Sequence, residues 1–302
     1  MPDRAAASPH DSRARGGLLS GLAAYLWWGL APFYFKAVAH VPAMEVLAHR
    51  VAWSVVLLGG LLTATRQWGA AREALRDGRT RARLLVTALL VGFNWLVFIW
   101  AVGSGHLVEA SLGYFINPLV NVALGTLVLG ERLRRPQMAA VGLATAGVLT
   151  LTLSLGKPPW ISLALALSFS LYGLLRKTAR VESLVGLSLE TLLLFPLAIG
   201  YLLALRGGAF GAVSPWTDFL LLMAGVVTAV PLLWFTVAAR RLRYTTVGLI
   251  QYLAPTVQLA IAVLAFGEAF SRAHAVAFGC IWAGLLLYTA DTLRELRGPK
   301  VA

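Results

Sequence analysis

Residues 110–131 read ASLGYFINPLVNVALGTLVLGE, and residues 247–268 read VGLIQYLAPTVQLAIAVLAFGE. At an offset of 137, Pro118 falls on Pro255, Gly130 on Gly267 and Glu131 on Glu268. Downstream, the same register sets Arg135 on Arg272, Gly142 on Gly279, Gly147 on Gly284 and Thr152 on Thr289. Upstream it sets Phe98 on Phe235, and no gap is needed. A chain that carries the same long apolar segment twice is built from two related halves.

Each half consists of apolar runs of about 20 residues, the length an α-helix needs to cross a bilayer. Ten such runs are expected, near 18–37, 44–64, 83–102, 109–129, 137–155, 159–177, 184–205, 217–239, 245–267 and 273–293. They are too long, and lack the period-two alternation, for barrel strands. The composition agrees: 59% of the 302 residues are apolar and 13% charged, with mean hydropathy +0.76. A water-soluble surface needs more charge than that.

Arginine and lysine then orient the spans. The N-terminal tail, the loops after the second, fourth, sixth and eighth spans, and the C-terminal tail hold 21 of the 26. The alternate loops hold four, Lys36, Lys157, Arg206 and Arg272, and Arg50 lies inside the second span. By the positive-inside rule both termini are expected in the cytoplasm. Spread over short loops in this way, the net charge of +13 marks topology rather than a nucleic-acid surface. Five spans per half is an odd number, so the halves enter the membrane from opposite sides. The expected domains are residues 17–155 and 156–293, two inverted five-helix repeats, flanked by a disordered tail at 1–16 and a tail at 294–302. Inverted repeats place a substrate site between the halves near the midplane and permit alternating access.

The stretches AYLWWGLAPFYFKAVAHVPAMEVLAHRVAWS (24–54), FNWLVFIWAV (93–102), HLVEASLGYFINPLVNVALG (106–125), SLYGLLRK (170–177) and VPLLWFTVAARRLRYTTVGLIQYLAPT (230–256) resemble the RarD branch of the EamA family, in the drug/metabolite transporter superfamily. The resemblance covers about residues 17–295. It implies a ten-helix, five-plus-five fold in the bacterial cytoplasmic membrane and a permease or exporter role, with a family name tied to chloramphenicol sensitivity. It implies no particular substrate.

Polar groups within hydrocarbon are costly and therefore informative. Ser111, Tyr114, Asn117 and Asn121 are spaced 3, 3 and 4 apart, on one helix face. Gln251, Tyr252 and Gln258 lie around Pro255, and the repeat sets Gln251 on Tyr114 and Gln258 on Asn121. These stripes either line a central cavity or hydrogen-bond the bundle together. Asn94, Trp95 and Trp100 share the third span and extend the candidate substrate site. Flat aromatic rings suit an amphipathic organic molecule, though many tryptophans in a membrane protein sit in the interfacial belt.

The candidate coupling or structural charges are His49, Arg50, Glu109 and Glu190. Matched depth predicts that Arg50 and Glu109 pair, while His49, Glu109 and Glu190 are the candidate proton carriers. Glu131 and Glu268, each after a glycine at a helix end, are expected to cap or anchor those ends. No Walker A, HExxH or GxSxG motif occurs. Cys280 offers neither a disulfide nor a metal cluster, and neither metal nor cofactor is expected. The sequence points to a secondary transporter with a small-molecule substrate, the lipid bilayer as its other partner, and proton coupling and a homodimer left open. The rivals are a lipid or precursor flippase and a membrane-embedded enzyme.

Overall fold

The computed structural model describes residues 9–129, 134–156, 158–178, 181–242 and 250–297. Among them every regular element is helical: α1 (Pro9–Ala37), α2 (Ala43–Ala64), α3 (Trp68–Arg76), α4 (Gly78–Gly103), α5 (Leu107–Leu129), α6 (Arg135–Leu155), α7 (Trp160–Thr178), α8 (Ser183–Ala204), α9 (Pro215–Arg241), α10 (Leu253–Ala260) and α11 (Arg272–Arg297). Eight are long and apolar enough to cross a membrane. Two shorter apolar helices, Trp160–Arg176 and Leu253–Ala265, fall where the sequence sets its sixth and ninth spans. A helix satisfies its own backbone, which is why an apolar chain in lipid takes this form.

Three details differ from the expectation. First, α1 starts at Pro9, so residues 9–16 are helical rather than a disordered tail. Proline fits a first helical turn, where its missing N–H has no carbonyl to serve. Second, the arginine-rich loop after α2 contains α3. Ala71 is buried there and Ala74 and Leu75 are partly buried against Leu62, Leu84, Val185 and Leu189, while Arg72, Glu73 and Arg76 face outward. At nine residues its apolar face is too short for a search for spans to find. Asp77 then caps α4 by accepting from the Thr80 N–H, at 2.9 Å, and from the Thr80 hydroxyl. The Thr80 hydroxyl, and then its amide, hold the Asp77 carboxyl below the usual carboxylate range. Third, the ninth span is broken. Residues 251 and 252 form a turn, α10 follows, and a π turn at Ile261–Ala265 ends at Gly267, whose φ of +67° a side chain would disfavour. Pro255 therefore sits in a first turn, whereas Pro118 lies within α5. Residues 1–8, 130–133, 243–249 and 298–302, including Gly130 and Glu131, lie outside the described residues.

The most extensive helix contacts follow a simple exchange rule. Swap α1 with α7, α2 with α8, α4 with α9, α5 with α10 and α6 with α11. The contact of α1 with α9 becomes that of α7 with α4, and α5 with α7 becomes α10 with α1. The contact of α2 with α9 becomes α8 with α4, while α2–α8, α5–α10 and α6–α11 map onto themselves. At the α6–α11 seam the rule holds residue by residue. A Cβ on Gly147 would stand 2.9 Å from the Ala277 carbonyl oxygen, and one on Gly284 would stand 2.8 Å from that of Ala140. Gly284 is the repeat mate of Gly147, and Ala277 that of Ala140. Two-fold contacts have this reciprocal form, and small residues let membrane helices approach closely.

Gly284→Leu forces a side chain onto the backbone of α6. It is expected to destabilise the protein by about 1–3 kcal/mol, the usual range for overpacking. Thermal unfolding in detergent checks this, with Gly60→Leu, where nothing lies within 4 Å of the added Cβ, as the neutral control.

Candidate functional site

The polar residues of the apolar spans gather into three groups. The first is a chain of hydrogen bonds across α5, α4 and α7. The Tyr114 hydroxyl donates to Asn94 Oδ1 at 3.2 Å. Asn94 Nδ2 donates to the Leu165 carbonyl at 3.1 Å and to Ser168 Oγ at 2.9 Å. One turn further along α5, Ser170 Oγ donates to the Asn117 carbonyl and Oδ1, each at 3.4 Å. On the exchange-related seam, Gln258 Nε2 donates to the Trp28 carbonyl at 3.1 Å, and its Oε1 has no protein partner among the described residues. The two stripes thus each bind a helix of the opposite half. Where α5 and α10 meet, Phe115 and Tyr252 lie nearly parallel with centroids 6.4 Å apart. Gln251 is half-buried next to Tyr252, and Asn121 is exposed.

The second group surrounds Arg50, seven residues into α2. Its Nε donates to Thr228 Oγ1 at 2.8 Å. Its guanidinium lies over the Trp95 ring at 4.2 Å and the Phe35 ring at 5.5 Å. Phe98 links this box to the first group, 5.7 Å from both Phe35 and Tyr114. A cation over an aromatic face recovers part of its lost hydration.

The third group is Glu190 on α8, fully buried. Thr87 Oγ1 donates to its Oε1 at 2.7 Å, the Tyr172 hydroxyl donates to its Oε2 at 3.1 Å, and Arg176 Nε stands 3.6 Å from Oε1. A Cβ at position 186 would overlap the Arg176 guanidinium, so glycine there leaves Arg176 its path to Glu190. Under the exchange rule the α2–α9 contact that carries the Arg50–Thr228 bond corresponds to the α8–α4 contact that carries the Glu190–Thr87 bond, although the residues themselves are not repeat mates. Corresponding helix pairs therefore hold opposite charges.

Not every candidate joins these groups. No ion pair connects Arg50 and Glu109. Equal depth fixes position along the membrane normal but not which face of a helix a side chain takes, and the half-buried Glu109 carboxylate instead stands near His274 of α11. His49 is buried, tilted against Phe210 with ring centroids 5.2 Å apart, and its Nε2 is unpartnered among the described residues. Trp100 lies at the end of α4, against His106 and Trp160, each at 5.3 Å. It lines a crevice of about 300 Å³ with Phe35, Val38, His40, Pro42 and Ile99, apart from the Asn94 network.

Sequence reasoning missed Phe35, Thr87, Thr228 and Arg176. The last was legible: Arg176 and Glu190 are opposite charges at similar depth from the same end. Glu268 does more than end its own helix. Its Oε1 and Oε2 accept from the Leu107 and Val108 amides, both at 2.8 Å, which caps α5 from the other half. This ties α5 to the other half at the arginine-poor end.

The EamA-like transporter family model matches residues 15–153. An "Uncharacterized transporter" of Vibrio cholerae is 47% identical over 290 residues, 95% of this chain and 96% of that protein. The "Protein RarD" of Streptomyces exfoliatus is 45% identical over 95% of this chain and 92% of its own length. A solved crystal structure, 21% identical, superposes with a TM-score of 0.59 over 90% of this chain and 96% of that one, a likeness of fold.

Glu268→Ala removes two charge-assisted hydrogen bonds from the start of α5. Hydrogen exchange at Leu107 and Val108 is expected to speed up by about tenfold or more, with the centre of α4 unchanged, as read by mass spectrometry in nanodiscs.

Proposed function

The chain belongs to the RarD branch of the EamA-like transporter family, and from that premise we propose that it is a secondary transporter. It carries small organic metabolites or drugs across the bacterial cytoplasmic membrane by alternating access of two inverted five-helix halves. Ten spans with both termini in the cytoplasm belong to the same proposal. α7 and the α10 segment are its sixth and ninth spans.

One observation carries the reading: the main helix contacts map onto one another when the halves are exchanged, down to the reciprocal Gly147–Ala277 and Gly284–Ala140 contacts. Two halves related in this way have two conformations of similar energy, one open to each side. In the proposed cycle the Glu268 cap on α5 holds the arginine-poor side closed.

Glu190 is the proposed proton site. It is buried and contacted by Thr87, Tyr172 and Arg176, so gain or loss of a proton would repartition these bonds and shift α8 against α4 and α7. His49 and Glu109 are the secondary candidates. A flippase would use the same halves but needs a lateral opening to lipid. An enzyme is the other rival, and the family and the relatives' names favour transport over it.

Purified protein in proteoliposomes is expected to give saturable counterflow of an accepted solute, and strictly linear flux would sink the carrier reading. Glu190→Gln is expected to keep counterflow while abolishing acceleration by an imposed pH gradient. Full retention of that acceleration would remove Glu190 from the coupling step.

A further inference from the structure

Arg50 is 8% exposed, and among the described residues no carboxylate lies within 4 Å of it. The carboxylates that could serve it are engaged elsewhere. Glu45 accepts from the Ala209 amide and Asp218 from the Gly211 amide. Glu268 caps α5, and Glu190 faces Arg176. Only Nε of Arg50 donates to protein, so both terminal nitrogens of the fork are without a protein acceptor among the described residues. Its electrostatic neighbours are Tyr114 and Tyr34, and both hydroxyls donate elsewhere, to Asn94 and to the Leu220 carbonyl.

A guanidinium cannot shed its charge, and burying it unpaired is expensive. The Trp95 and Phe35 faces offset part of that cost. They also alter what the aromatic box can accept. Empty, such a box favours a cationic ligand, but here the protein's own cation fills it. A second positive charge would be repelled, while an anion would meet a planar fork whose free donors match a carboxylate. One uncompensated charge fits one negative charge. Phe98 and the Tyr114 ring extend an apolar wall beside it, and Asn94 and Ser168 lie beyond.

We propose that Arg50 is the anchor for the carboxylate of a monoanionic organic substrate whose apolar or aromatic body lies along Phe35, Trp95, Phe98 and Tyr114. The proposal rests on the transport reading and specifies its substrate class. Thr228 is the positioning residue, holding the guanidinium plane through Nε so that the other two nitrogens face the ligand.

The test uses three probes of one shape and different charge: phenylpropionate, phenylpropanol and phenylpropylamine. Binding is read in nanodiscs from tryptophan fluorescence, and counterflow is read in proteoliposomes. The acid is expected to bind tighter than the alcohol and amine by about tenfold or more, and Arg50→Gln to erase that difference. Thr228→Val is expected to weaken the acid while keeping the order of the three. Equal or tighter binding of the amine, no binding of the acid at millimolar concentration, or an unchanged preference in folded Arg50→Gln overturns the anion site. If Arg50→Gln does not fold, the wild-type ranking of the three probes decides alone. Saturable counterflow of the alcohol or amine with no preference for the acid leaves the transporter standing and removes the anchor. Arg50-dependent binding of the acid without saturable counterflow leaves the anchor standing and removes transport of this class.

Discussion

Hydrocarbon supplies no hydrogen bonds, and that constraint shapes the interior of this protein. Every polar side chain carried into the spans must find a partner on its own helix or another, face open space, or go unsatisfied at a cost of several kcal/mol. Several serines and threonines bond a carbonyl one turn back on their own helix, and the partners found on other helices mostly lie in the opposite half. Asn94 of α4 reaches α7, Gln258 of α10 reaches α1, Arg50 of α2 reaches α9, and Thr87 of α4 reaches Glu190 of α8. Polar bonding and small-residue packing together make the two halves interdependent. They also give the seam between the halves the directional contacts that a change of state would have to exchange.

The exchange symmetry holds for the main helix contacts and is broken in charge. α6 and α11 meet through reciprocal glycine contacts, yet the corresponding helices α2 and α8 carry Arg50 and Glu190. The two charges are also solvated differently. Glu190 has a cation and two hydroxyl donors, a complete shell that leaves little for a ligand. Arg50 has aromatic faces and one hydroxyl, a shell that is open on its donor side. Symmetry of the scaffold with asymmetry of the charges would let one fold hold the proposed coupling group and the proposed substrate anchor at once.

The fold was largely legible because its signals are local or repeat along the chain. Apolar run length, the alternation of arginine between loops and the 137-residue offset each survive without knowledge of contacts. α3 escaped because one short amphipathic turn resembles any charged loop. The interruption at residues 251–252 escaped because Gln251 and Tyr252 disturb the apolar run no more than Tyr114 and Asn117 do in α5, where the helix continues. The candidate residues were legible as a set, since Asn94, Asn117, Gln258, Arg50 and Glu190 stand out in apolar text. Their partners were not. Trp95 was a candidate, but nothing in the string set it against Arg50, and Phe35, Thr87 and Thr228 looked like ordinary packing.

Sequence alone determined that the chain is a polytopic helical membrane protein made of two related halves, because hydrophobicity and repetition are properties of a string. Tertiary structure decided which polar groups meet. It turned Glu109 toward His274 instead of Arg50, set Glu268 on the α5 amides, and laid Arg50 against Trp95 with its fork free. Depth in a membrane can be counted along a helix from its ends. The direction a side chain faces depends on how the helices are rotated and packed, and no single span carries that information.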